Sequence, residues 1–149
     1  MNNNQTGKCQ CGKVTYSLNK DKVISAHHCH CKDCQRTTGS GKATILFIPK
    51  KHITVEGDLK YYESTGTAGS HDRRGFCPVC GSGVLSYAKE ISHILYVKAG
   101  TLDNSSWVEV DSNFFTSTAE NWSKPDDSIK SFEKNPGIIS NIKTLVKSL

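Results

Sequence analysis

The chain has 149 residues, of which 36% are hydrophobic and 22% charged, with a formal net charge of +5. That length suits one domain with its own core, and no window approaches the ~20 apolar residues of a membrane span. The basic residues, including Lys50, Lys51, Arg73 and Arg74, are scattered without aromatic interleaving, so they read as solvated surface rather than a nucleic-acid interface.

From the N-terminus, "MNNNQTGK" carries no apolar run of the signal-peptide type, and a cytoplasmic protein is expected. Short alternating segments follow. "VTYSL" puts Val14, Tyr16 and Leu18 on one face, and "ATILFI", "ITVEG", "LKYYES", "GVLSYA" and "HILYVKAG" repeat the pattern between Gly, Pro, Asp and Lys punctuation. The expectation is a mainly β single domain over 1–149. "TGTAGSHDRRG", residues 65–75, reads as a glycine-rich loop that could cover a site. Trp107, Trp122, Phe114 and Phe115 are expected in the core. The tail "PGIISNIKTLVKSL", residues 136–149, spaces Ile138, Ile142, Leu145 and Leu149 as one helix face, which could pack on the body or join two copies in a homodimer.

Seven cysteines are an odd number for disulfides, and in a reducing compartment metal is the better use for them. They form three clusters: Cys9 and Cys11, then Cys29, Cys31 and Cys34, then Cys77 and Cys80. In "CPVCG", the proline and Gly81 shape a turn whose N–H groups can face sulfur, a zinc knuckle that needs two more thiolates from elsewhere. Pairing it with Cys31 and Cys34 leaves 42 residues between knuckles and strands three thiols. Pairing it with Cys9 and Cys11 strands none. The remainder, Cys29, Cys31 and Cys34, is then a three-ligand set of the kind that leaves a fourth position for water or substrate. His28 or His30 could instead close that site, although residues beside ligands tend to face away from the metal.

The segments "GKCQCGKVTYSL", "CHCKDCQRTTGSG", "FCPVCGSGV" and "AGTLDN", in this order, resemble the glutathione-dependent formaldehyde-activating enzyme family over about residues 7–125. The resemblance implies a tent-like fold of packed antiparallel sheets with two zinc ions per chain. It implies a structural zinc on Cys9, Cys11, Cys77 and Cys80, and a catalytic zinc on Cys29, Cys31 and Cys34. The activity it implies is carbon–sulfur lyase chemistry that joins glutathione to formaldehyde as S-hydroxymethylglutathione. A three-thiolate zinc site carries about −1 net charge, which favours binding substrate sulfur over polarising the aldehyde. Glutathione's carboxylates call for cations, and Arg36, Lys32, Lys42, Arg73 and Arg74 are candidates, with Arg36 nearest the cluster in sequence. His28 or His30 could move the proton. Two other readings fit the same residues: a zinc-stabilised binding module without chemistry, and the same chemistry on another thiol or aldehyde.

Overall fold

The computed structural model describes residues 3–66 and 69–135, so the expected helix over 136–149, and any dimer contact through it, lies outside the described residues. The chain is mainly β. In order come β1 (Asn4–Lys8), β2 (Thr15–Asn19), β3 (Ser25–Cys29), α1 (Lys32–Thr38), β4 (Ala43–Pro49), β5 (Ile53–Glu56) and β6 (Lys60–Thr65). Then follow β7 (His71–Phe76), β8 (Gly83–Ala88), β9 (Ile94–Lys98), β10 (Ser112–Phe114) and β11 (Lys130–Ser131), with short 3-10 turns between several of them. A three-stranded sheet is ordered β1-β2-β5, and an eight-stranded sheet is ordered β11-β10-β3-β4-β9-β8-β7-β6. Pairing is antiparallel except at one edge, where β10 runs parallel to both β3 and β11. No helix among the described residues is long and apolar enough to cross a membrane.

All six alternating runs contain strands, and the alternation is cleanest in β2, where Tyr16 and Leu18 are buried between half-buried neighbours. Tyr16 and Leu18 of β2 meet Leu46 and Ile48 of β4, Val84 and Leu85 of β8, and Leu95 and Val97 of β9 in the main core. The other face of β4 is covered too: Ile45 and Phe47 pack on a second cluster with Phe114 and Phe115. Strand β4 therefore shows little polar alternation, since period two separates two cores rather than core from solvent.

Several elements depart from the expectations. Residues 71–76 are strand, not loop. The polar run "HDRR" is held by cross-strand partners instead of apolar burial: Arg73 pairs with Glu63 at 3.0 Å, lies over the Tyr61 ring and donates to Tyr87 Oη. The segment after Cys31 is helical, capped by a cysteine. Trp122 is 70% exposed, whereas Phe114 and Phe115 are buried and Trp107 packs against the main core.

The two sheets are tied by the "AGTLDN" segment. Leu102 bridges to Gly7, the Asp103 N–H donates to the Thr6 carbonyl, and the Thr6 hydroxyl donates to Asp103 Oδ2 at 2.7 Å. Gly7 is required by this close approach: a Cβ there would stand 2.2 Å from Tyr16 Cζ and 2.6 Å from the Thr101 carbonyl oxygen. Gly7→Ala should therefore cost about 2 kcal/mol or more of stability, because buried Tyr16 and backbone on the other side must shift. Gly100→Ala, with nothing within 4 Å, should stay within about 0.5 kcal/mol. Denaturant melts of the two variants check the contrast.

Candidate metal centres

The first knuckle is a tight turn after β1. The Cys9 N–H donates to the Val14 carbonyl, the Gly12 N–H donates to the Cys9 carbonyl, and Gly12 takes φ 79°. The turn directs the Val14 N–H at Cys9 Sγ, 3.3 Å away. The second knuckle, after β7, is built alike: the Gly81 N–H donates to the Cys77 carbonyl and Gly81 takes φ 77°. The Gln10 N–H donates to Ser82 Oγ at 3.1 Å, joining the two turns.

As a result, Cys9, Cys11, Cys77 and Cys80 converge with all four sulfurs within 4.8 Å of one another. Cys9 and Cys11 sulfurs are 3.6 Å apart, and those of Cys11 and Cys77 are 3.7 Å apart. A tetrahedron of thiolates on a metal has edges of about 3.8 Å, so this group can hold a metal ion. Ser82 supports an anion there: its hydroxyl is 3.3 Å from Cys80 Sγ, and with its N–H it draws the Cys80 thiol down to about 5.

The second group is set by a different device. Strand β3 ends at Cys29, and Cys31 is the N-cap of α1, its Sγ accepting from the Cys34 N–H at 3.3 Å. Capping turns the chain so that Cys34, in the first turn, faces the same point as Cys29 and Cys31. Gln35 locks the turn by donating to the carbonyls of His30 and Thr118. The three sulfurs lie within 4.8 Å of one another and all three residues are buried. Contact with Cys31 and Cys34, together with burial, pushes the Cys29 thiol far up, so the three cannot all be anionic without a nearby cation. Their donor set fits a soft divalent ion.

Neither neighbouring histidine joins the sulfurs. His28 Nδ1 is 2.8 Å from Thr44 Oγ1. His30 is 0% exposed, and burial, opposed by Asn113, holds its ring below the usual imidazole value. Among the described residues, no fourth His, Cys, Asp or Glu completes the group.

The three thiols form one wall of a cavity of about 320 Å³. Its floor is the face of the eight-stranded sheet turned away from the main core: Ile45 and Phe47 of β4, Tyr96 and Lys98 of β9, Ser86 and Ala88 of β8, Asp72 and Arg74 of β7. Phe114 and Phe115 close one side. Arg74 lies 3.6 Å from Asp72, whose carboxyl is pushed up by burial.

Of the cations expected from sequence, only Arg74 lines this cavity. Arg36 is exposed on α1 and absent from its walls, Lys32 pairs with Glu120 at 3.3 Å, and Arg73 is engaged on the opposite face. Lys98, which the sequence reading passed over, is at the cavity. Its signal was period two: in "ILYVK" the core residues are Leu95 and Val97, which turns Tyr96 and Lys98 to the other face.

Residues 4–118 match the family model described as glutathione-dependent formaldehyde-activating enzyme. The fold is similar to that in a crystal structure of a Rhodobacter sphaeroides protein, with 22% sequence identity over 66% of this chain and 88% of that one and a TM-score of 0.52. No protein of curated function matches the chain significantly.

Elemental analysis of the protein purified without added metal should give two ions per chain, one for each sulfur group. Cys77→Ala should unfold or aggregate, since a structural thiolate site can supply ~10 kcal/mol of folding energy. Cys31→Ser keeps a capping oxygen and should remain folded with one ion per chain. Equal loss of structure in both variants would mean that both ions are structural.

Proposed function

The chain belongs to the glutathione-dependent formaldehyde-activating enzyme family, and on that premise we propose that it is a zinc-dependent carbon–sulfur lyase acting on the adduct of glutathione and formaldehyde. The observation that carries this reading is the asymmetry of the two sulfur groups: four thiols close on themselves between the sheets, while three open into a cavity. Closed four-ligand sites are structural, and three-ligand sites leave room for a reactant. A zinc ion held by Cys29, Cys31 and Cys34 would supply thiol acidification and Lewis acidity at that wall. Cys9, Cys11, Cys77 and Cys80 would hold the structural ion.

The reaction adds a thiol to a carbonyl. A sulfur–carbon bond forms, the thiol loses its proton, and the carbonyl oxygen gains one. The residues of the cavity suit this. Phe47, Phe114 and Phe115 exclude water from the sulfur-bearing wall. Arg74 brings positive charge to a site where three thiolates concentrate negative charge. Asp72 is the proton carrier in this scheme: burial raises its carboxyl above the ordinary carboxylate value, and Ser70 donates to its Oδ1 at 2.8 Å. His28 and His30 do not line the cavity, so the proton path does not need them. Seven free thiols suit a reducing compartment such as the cytoplasm.

Exchange NMR with 13C-formaldehyde and glutathione tests the reading, since it measures forward and reverse addition at equilibrium. The zinc-containing protein should speed exchange above the spontaneous rate. Cys31→Ser should return it to that rate, and Asp72→Asn should lower the enzymatic part by about 10²-fold. Exchange no faster than in buffer would overturn the assignment.

A further inference from the structure

Beside the thiol-lined cavity lies a second, more open recess of about 490 Å³, and the two share Thr37, Ala43 and Lys98. Their charges differ. The cavity carries the carboxylates Asp33, Asp72 and Glu90, whereas the recess is lined by Lys42 and Lys98 and by no acidic residue among the described ones. Neither lysine has a carboxylate within 4.0 Å among the described residues, although Lys32 and Lys89 elsewhere do. The Lys98 amine reaches across bare backbone: a Cβ on Gly83 would stand 2.8 Å from its Nζ, so glycine there leaves the space that the amine occupies. Gly81 and Gly100 likewise present backbone rather than side chains to the recess.

A half-buried Lys98 amine and the neighbouring Lys42, lining a groove with no acidic residue among the described ones, call for an anion, and a carboxylate is the anion that can arrive attached to a thiol. We propose that Lys98 and Lys42 form a carboxylate-binding subsite next to the three-cysteine cavity, making Lys98 a specificity-determining residue for thiols that carry a carboxylate. This rests on the thiol-binding reading above and narrows it. The sulfur end occupies the cavity, the chain passes Lys98 at the shared wall, and the carboxylate sits between the two amines. The competing role for Lys98 is counter-charge to Cys34, whose field it feels. A counter-ion would influence every thiol alike, whereas a subsite acts only on those with a carboxylate.

Glutathione and its diethyl ester share a thiol and differ in carboxylates, so the pair separates these roles. Dissociation constants come from 15N shift titrations, and KM and kcat from exchange NMR, for wild type, Lys98→Gln and Lys42→Gln with metal content and melting as for wild type. Wild type should bind glutathione about tenfold more tightly than the ester. Each variant should raise KM for glutathione about five- to tenfold more than for the ester, with the change in KM rather than kcat. Equal affinity of wild type for acid and ester, or variants that weaken both alike, would overturn the subsite while leaving catalysis intact. A protein that favours the acid over the ester yet accelerates no exchange would sustain the subsite and remove the catalytic reading.

Discussion

Four sulfurs drawn from two turns 66 residues apart in sequence are the constraint on which this structure depends. Cys9 and Cys77 are buried within the main core, where thiols that close would repel as thiolates and leave weak hydrogen bonds as thiols. A metal ion would resolve the conflict, and would fix the turn after β1 against the turn between β7 and β8. That junction sets the three-stranded sheet over the eight-stranded one. The Gly7–Leu102 bridge and the Tyr16 hydroxyl, 2.8 Å from Thr101 Oγ1, continue the same seam. The three-stranded sheet and β7–β9 could slide past one another without it, since the apolar contacts between them are non-directional.

With one face of the large sheet committed to that core, the other face is free to build chemistry. Strands are suited to this because successive side chains must alternate, so residues chosen for the core leave their neighbours on the opposite side at fixed spacing. Leu46 and Ile48 fall in the core while Ile45 and Phe47 floor the cavity; Leu95 and Val97 fall in the core while Tyr96 and Lys98 face the thiols. The cavity floor is thus mounted on strands rather than a loop. Only Cys31 and Cys34 come from a helix, and there the cap interaction aims them.

Charge is distributed by the same geometry. On β7, Arg73 turns to Glu63 and the tyrosine pair on one face, and Arg74 turns to Asp72 and the cavity on the other. Acidic groups collect around the thiol-lined cavity, whereas the neighbouring recess has lysines and no acidic residue among the described ones. Together they make an asymmetric site: sulfur-lined on one wall, with carboxylates beside the cavity and lysines at its shared edge.

Much of this was legible in the sequence, and for identifiable reasons. The spacing of seven cysteines allows one partition that strands no thiol, and thiol chemistry demands partners whatever the fold; the structure gathers the same two sets. Six strands were readable because alternation in "VTYSL" or "GVLSYA" is a local property of a half-buried ribbon. Strand β7 was hidden because "HDRR" is stabilised by partners on other strands, which no local pattern records. Helix α1 was hidden because its cap is a cysteine and its seven residues are too few for a periodic signal. Arg36 stands near the cluster in sequence and outside the cavity in space, while Lys98, 64 positions after Cys34, lines it. Sequence by itself determined which atoms could bind metal and where six of the strands would form, since both depend on residue type and short-range spacing. Which charges surround the three sulfurs of the cavity was decided only by tertiary structure, because strand order and register bring β4, β7, β8 and β9 to one face, and those are set by packing between distant segments.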